Sequence, residues 1–469
     1  MILLVFFVIQ QALFRELWFD EALTVLNFMM LPGPGAVYHN YAIPNNHILY
    51  TILLQWWDMV NPNLIAYDVY LRLLSVVAAV LTIGAMCCFF PRRAGGIWIA
   101  AMAIVSFVCS APFAIYATAV RGYMWSALLV LLALICAWRL TEKRQISPAA
   151  ILGYCLTSFL AIGMIPVNLA AIGGVVAMVA PRCGSHCYRS GRFWALAVLP
   201  LLCAGLFYYP ILPQVQNAAA LREGWKHAGR AIVYLLLTVG GGMVPLWIAA
   251  IAGLVRSWRR KNLQTLLWRS LLWLIPIGMI LVLPVAPYPR TFFVWLPLWV
   301  FAGMLGVRHW IAWRRMKKKP VRWSTVSLPV VLTVAAIVFS VWLPRWTAPA
   351  AVAVANGELD DFSRPYYMKN SYAVSPAIAA LKPMKTPAIF LSFQADPWPL
   401  MFYGALAGIE RELWYFDGPR GAVESLPDEA ILVLHRGEDP SLFARRFGFA
   451  ELSPVKMTSF HAIYRGHKK

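Results

Sequence analysis

Residues 65–90 read IAYDVYLRLLSVVAAVLTIGAMCCFF and are followed at once by Pro91-Arg92-Arg93. A helix needs about 20 predominantly apolar residues to cross a hydrocarbon layer of about 30 Å, and this run exceeds that before ending on two cations. The whole chain has the same character. Hydrophobic residues make up 61% and charged residues 13%, with 14% aromatic, whereas a soluble domain is roughly half apolar and a quarter charged. The chain therefore reads as a polytopic α-helical membrane protein.

Outward from that run, further apolar segments lie near 1–14, 97–115, 122–138, 148–163, 166–181, 193–211, 231–255, 266–284, 291–311 and 324–344, for about eleven spans. The first resembles the apolar part of a signal peptide but lacks a basic start and a small-residue cleavage site. Pro91 to Arg93, Arg139 to Arg144, Arg182 to Arg192, Arg256 to Lys261 and Arg308 to Arg322 are alternate connections and together hold 19 Lys and Arg. By the positive-inside rule these loops face the cytoplasm. The net charge of +21 thus reports topology and gives no sign of nucleic-acid binding, since residues 346–469 carry 13 basic and 13 acidic residues and are neutral.

An odd number of spans puts residues 346–469 outside, beyond the membrane module of residues 1–345. Within this segment AIFLSF (388–393), ELWYFD (412–417) and AILVLH (430–435) read as strands, PLMFYGALAG (399–408) and PSLFARRFG (440–448) as helices, and VKMTSFHAIYRG (455–466) as further strands. The alternation predicts a small extracytoplasmic α/β domain. It has no cysteine, so no disulfide framework is expected. Cys183-Gly-Ser-His-Cys187 has half the spacing of a zinc site, without a second ligand pair nearby.

The longest outer loop, 15–64, holds the residues with chemistry to offer. LWFDEALT (17–24) sets Asp20 beside Glu21, in a membrane module with only seven acids. NHILYTILLQWWDMV (46–60) is apolar at Ile48, Leu49, Ile52, Leu53, Trp56, Trp57 and Val60, with His47, Thr51, Gln55 and Asp58 on the other stripe. The spacing predicts an amphipathic helix lying in the membrane surface, and residues 19–31 read as a second. Arg121 and Tyr123 stand at the outer mouth of one span, Tyr288 and Arg290 at that of another. A carboxylate at a helix end is commonly solvated, and an Arg at a span end commonly snorkels to headgroups. What sets these residues apart is convergence: two carboxylates, a histidine and two arginines from four segments meet one membrane boundary. That is an inventory for handling a lipid phosphate beside a general base.

In order, FDEA (19–22), NNHILYTILL (45–54), RGYMWSALLVLL (121–132) and YPRTFFVWLP (288–297) resemble the motifs of GT-C-fold glycosyltransferases, of the protein-mannosyltransferase and aminoarabinose-transferase superfamily. The resemblance covers roughly residues 1–345. Two prolines usual after the histidine are replaced by Ile48 and Leu49, and residues 346–469 carry no motif of the family. The resemblance implies a polyprenyl-phosphate sugar donor and an acceptor on a glycan, lipid or protein, with no nucleic acid involved. It implies Asp20 as general base, with Glu21 beside it, and inversion at the anomeric carbon. Arg290, Tyr288, Arg121 and Tyr123 would bind the donor phosphate. Some relatives hold a divalent metal near the acid pair, for which Glu21 and His47 are the available ligands. The protein is then expected in a multi-pass cell membrane, of the bacterial inner-membrane kind, with its active site outside. A transporter or flippase for a lipid or glycan is the competing class. It would show repeated halves and midplane acids; no repeat is evident, and Asp68 and Arg72 are the deepest charged pair.

Overall fold

The fold is taken from a computed structural model, which describes residues 2–43, 46–94, 96–142, 147–183, 189–220, 232, 263–282, 289–316, 373–384, 386–416 and 423–468. The chain forms two compact units. One comprises Met1–Phe14 and Leu31–Phe362, the other Arg15–Met30 and Ser363–Lys469.

In the larger unit the helices are α1 (Ile2–Leu13), then, after residues belonging to the smaller unit, which contribute α2 (Phe19–Thr24), α3 (Pro34–Tyr38), α4 (Ile48–Met59), α5 (Tyr67–Ala94), α6 (Ile97–Val108), α7 (Ala111–Tyr116), α8 (Tyr123–Glu142), α9 (Pro148–Met164), α10 (Asn168–Val179), α11 (Gly191–Tyr208), α12 (Leu212–Ala220), α13 (Leu263–Val282) and α14 (Leu296–Met316). Among the described residues four stretches are long and apolar enough to cross a membrane: Tyr67–Arg93, Tyr123–Glu142, Gly191–Ala218 and Thr291–His309. Shorter apolar helices occupy Ile97–Val108, Pro148–Met164, Asn168–Cys183 and Leu266–Val282. The span read at 97–115 is broken where Ser110 precedes α7 and Pro112 enters its first turn, because proline lacks the N–H that would continue the ladder. The first span is a 12-residue helix, about 18 Å long at 1.5 Å per residue. The spans read at 231–255 and 324–344 lie outside the described residues.

Four basic loops of the sequence meet at one end of this unit. Arg93, in the last turn of α5, binds Glu142 at the end of α8 at 2.6 Å. Arg182 lies 3.6 Å from the same carboxylate and 4.1 Å above the Trp138 ring, and Arg308 donates to the Arg93 carbonyl at 2.7 Å. The opposite end of α8, 20 residues away, is therefore about 30 Å distant.

The smaller unit contains α2, α15 (Ser375–Leu381), α16 (Pro397–Leu406), α17 (Pro440–Phe447) and the strands β1 (Ile389–Leu391), β2 (Trp414–Phe416), β3 (Glu429–His435), β4 (Phe449–Met457) and β5 (His461–Lys468). The sheet runs β2-β1-β3-β5-β4, with β1 parallel to β2 and β3, and β5 antiparallel to β3 and β4. Side chains alternate along a strand. Accordingly Ile389, Leu391, Ile431 and Val433 join one core with α15 and α16, and Phe390, Leu432 and Leu434 join another with Phe447 of α17. His461 is fully buried at the start of β5, with Nε2 3.0 Å from the Ala395 carbonyl. Burial, aided by His435, holds its imidazole down at about 4.

Candidate active site

The far end of α8 opens on a polar turn, Ala117 to Gly122. Gly122 accepts the first helical bond, from Ser126 N–H at 2.9 Å, so Arg121 and Gly122 stand at the electropositive N-terminus of a long helix. The turn is tied from α5. Arg72 donates to the Thr118 carbonyl at 3.1 Å, and Ser75 donates to the Ala119 carbonyl. Tyr50 of α4 reaches the Ser75 hydroxyl at 3.4 Å. Asp68 accepts from the backbone N–H of Val69 at 2.9 Å.

His47 meets this turn directly. It precedes the first residue of α4, and its Nδ1 accepts the Gly122 N–H at 3.0 Å, while its Nε2 lies 3.1 Å from Arg121 Nη2. The Tyr123 ring packs edge-on against the imidazole at 5.0 Å and lies 5.8 Å from the Arg121 guanidinium. Tyr116 in turn packs on Tyr123 at 4.8 Å. Arg121 is 1% exposed and His47 4%. Gly122 is required by close approach: a Cβ there would lie 3.1 Å from Tyr50 Cβ and 3.2 Å from His47 Nδ1. Sequence reasoning picked out His47, Arg121 and Tyr123, and the fold brings them together. It passed over Tyr50 and Gly122, whose only signal was their place inside two of the motifs, and Ser75, a hydroxyl within the apolar run 65–90 that no motif covers.

The helix read at 46–60 is present as α4, but its polar stripe is not turned to water. His47 and Thr51 are buried, whereas Trp56 is 57% exposed. Thr51 donates to the Asn46 side chain at 3.1 Å, and Gln55 donates to the Leu31 carbonyl at 2.8 Å. The stripe faces protein because its polar atoms find partners there.

Arg290 lies in a 3₁₀ segment, Pro289–Trp295, that leads into α14. Phe293 of this segment packs on Tyr116 at 5.0 Å, so the backbone carrying Arg290 is placed beside the turn's aromatic support. Tyr288 lies outside the described residues.

Asp20 and Glu21 belong to the smaller unit. Both sit in the first turn of α2 and are buried, 5% and 0% exposed. That corrects the reading of residues 19–31 as a surface helix, and it removes a solvated helix end as the explanation of the acid pair. Glu21 Oε2 accepts the Trp18 N–H at 3.1 Å, reaching back over the helix start as a cap. Thr24 donates to the Asp20 carbonyl at 2.8 Å, and α2 runs on into a π-helical turn, Val25–Met29, a distortion that often marks functional segments.

His47 as arranged does not fit a metal ligand. Nδ1 is spent on a backbone N–H and Nε2 faces a guanidinium, where a divalent cation would be repelled. Among the described residues no group of three or more His, Cys, Asp or Glu is placed to hold a metal ion; of the Cys183–Cys187 pair, Cys187 lies outside the described residues.

Among solved structures, ArnT from Cupriavidus metallidurans in the apo state aligns over 99% of this chain and 96% of its own, with a TM-score of 0.59 at 15% identity. The fold is ArnT-like. ArnT bound to undecaprenyl phosphate aligns over the same shares of the two chains, with a TM-score of 0.57 at 14% identity. The arabinosyltransferase EmbB from Mycobacterium smegmatis aligns over 97% of this chain and 45% of its own at 13% identity, with a TM-score of 0.43 that is too low to support a shared fold. No protein-family model and no curated protein matches the sequence. The ArnT-like fold matches the GT-C resemblance read from the four motifs, and it covers residues 346–469 as well, where no motif was found.

Proposed function

We propose that this chain is an inverting glycosyltransferase that takes a sugar from a polyprenyl-phosphate donor and transfers it to a hydroxyl of a glycan, lipid or protein on the extracytoplasmic face. The observation that carries this reading is the contact of His47 with Arg121. A neutral imidazole has one donor and one acceptor nitrogen. With Nδ1 accepting from Gly122, the ring proton sits on Nε2 and points toward Arg121 Nη2, 3.1 Å away. Two donors set side by side at the N-terminus of α8 suit an anionic oxygen, which the helix dipole also favours. Arginine suits a phosphate because its planar fork is always charged. The ArnT-like fold, with one ArnT structure bound to undecaprenyl phosphate, supports a lipid phosphate as the anion. Arg290 and Tyr288 enter as further phosphate ligands on the motif resemblance.

In the proposed step the Asp20 carboxylate accepts the proton of the acceptor hydroxyl. The freed oxygen pair bonds to the anomeric carbon from the face opposite the leaving group, and the C–O bond to phosphate breaks with its electrons going to the phosphate. Arg121 and the His47 N–H stabilise the polyprenyl phosphate that departs. General-base help is worth about 10²–10⁴ in rate, and placed donors on the leaving phosphate contribute a comparable factor. No step passes through a metal.

The test uses the full chain in nanodiscs and undecaprenyl phosphate as probe. Losing a charge-assisted hydrogen bond costs about 1.5–3 kcal/mol, so Arg121→Ala should raise Kd about 10- to 150-fold, with Arg121→Lys in between. Unchanged affinity in a folded Arg121→Ala protein defeats the phosphate assignment. Incubation with a synthetic polyprenyl-phosphate sugar and candidate acceptors separates the competing class, because a flippase binds the lipid and leaves its sugar–phosphate bond intact.

A further inference from the structure

The chain leaves the larger unit after Phe14 and rejoins it at Leu31, and the intervening Arg15–Met30 belongs to the same compact unit as the C-terminal sheet. Its anchorage there is specific. The Glu16 carboxylate accepts the backbone N–H of Val374, the N–H of Ser375 at 3.0 Å and the Ser375 hydroxyl. It thereby satisfies donors at the start of α15 that the helix itself cannot. The Leu17 N–H donates to Tyr403 Oη of α16 at 2.8 Å, a partner 386 residues away. Phe19 meets Phe393 edge to face at 5.8 Å, and Leu26 packs on the core of Val374, Leu381, Leu400 and Met401.

The place of docking is telling. Phe393 follows β1 and α16 begins at Pro397, so the segment lies at the carboxyl end of a parallel strand. There the chain turns from β1 toward β2 on one side and from β3 toward β4 on the other. Open α/β sheets present this switch point to ligands. Here residues flanking the acid pair bind beside it.

We infer that the C-terminal unit is the holder of the catalytic base, with Tyr403 and Glu16 as positioning residues that fix the turn bearing Asp20. The inference rests on the transferase reading. It assigns the two units separate duties: the turn at Arg121 binds the donor phosphate, and the sheet unit sets the carboxylate that receives the proton. Damage to the anchorage should then lower turnover without weakening the donor.

Tyr403→Phe keeps the ring and deletes the acceptor for Leu17. In full-length protein it should lower turnover about 2- to 10-fold, the worth of one ordinary hydrogen bond, with Kd for undecaprenyl phosphate unchanged. In an Asp20→Asn background the same change should cost nothing further, because it acts through that carboxylate. Hydrogen exchange of the 15–30 peptide should quicken while peptides of β1, β3 and β5 exchange as in wild type. Glu16→Gln should repeat the pattern. Weaker donor binding, a loss additive with Asp20→Asn, or wild-type turnover despite faster exchange would each overturn the inference. So would unchanged exchange in both variants, a result that needs no turnover at all. If the wild type itself transfers no sugar, the transferase reading fails and exchange still decides the anchorage.

Discussion

Gly122→Ala isolates the contact between α4 and the turn before α8. The added methyl would meet Tyr50 Cβ at 3.1 Å, His47 Nδ1 at 3.2 Å and His47 Cβ at 3.5 Å. Ordinary carbon contacts begin near 3.5 Å, so the start of α4 must retreat by about half an ångström or less. Neither neighbour is the far end of a flexible chain, since both atoms sit close to the α4 backbone, and Tyr50 is fully buried. Overpacking of this kind costs about 1–3 kcal/mol. The smaller entropy of the unfolded alanine chain returns about 0.4–1 kcal/mol, leaving a net loss of about 1–2 kcal/mol.

The functional consequence comes from the Gly122 N–H, which sets the imidazole at 3.0 Å. Displacing the ring misaligns its Nε2 proton, and one neutral hydrogen bond to the donor phosphate is worth about 0.5–1.5 kcal/mol. Kd for undecaprenyl phosphate should therefore rise about 2- to 10-fold, read by titration in nanodiscs beside the thermal midpoint. Gly84→Ala is the control: it lies within α5, and a Cβ there meets nothing within 4 Å, so it should be neutral or stabilising. Wild-type affinity and midpoint in Gly122→Ala would refute the tight packing of His47 on the turn.

Other outcomes follow from the same geometry. Asp20→Asn, nearly isosteric, should leave donor affinity within about twofold and lower turnover about 10²-fold or more; wild-type turnover would end the role of Asp20 as base. Glu21→Gln keeps an oxygen for the Trp18 N–H and should be mild, whereas Glu21→Ala removes the cap and should cost the α2 segment about 1 kcal/mol, read as faster exchange of residues 17–24. His461 titrates at about 4 in the fold and near 6.5 unfolded. With its folded value depressed, the unfolded chain binds more protons between these values, so stability is full above pH 6.5 and falls toward pH 4. The loss is at most about 3 kcal/mol, read as faster exchange of β3 and β5 peptides, and His461→Leu should flatten the part of the slope above pH 5.

Much of this was legible in the sequence because membranes impose period and composition. The run at 65–90 is α5, and four of the five basic loops that the positive-inside rule groups together meet, through Arg93, Glu142, Arg182 and Arg308, while Arg256 to Lys261 lies outside the described residues. Strand readings at 388–393 and 430–435 fall on β1 and β3, where alternating faces both meet apolar cores. The direction of a face was not legible. A helical wheel shows that His47 and Thr51 share a stripe, but whether that stripe meets water or protein depends on Gly122 and Asn46, which the wheel does not contain. Nor could the sequence tell that Arg15–Met30 belongs with the C-terminal sheet, because Tyr403 and Phe393, which hold it, are remote in the chain and ordinary in type.

Burial alone does not assign function here; the partner of each buried charge does. Arg72 and Arg121 are equally buried, at 0% and 1% exposure, and a charge held in a membrane protein is costly enough to need a reason. Arg72 has a structural one, since its Nη1 holds the Thr118 carbonyl and so fixes the turn. Arg121, carried on the turn thus fixed, faces a second donor on His47. The first arrangement serves the backbone, while the second sets two donors side by side where an anionic oxygen can meet both. A like division runs through the acid pair. Glu21 spends an oxygen closing the start of α2, which fixes the backbone on which Asp20 rides. In both cases the neighbour that stiffens the backbone is what lets the other residue hold its position for chemistry, and a functional group placed within about half an ångström is what such chemistry demands.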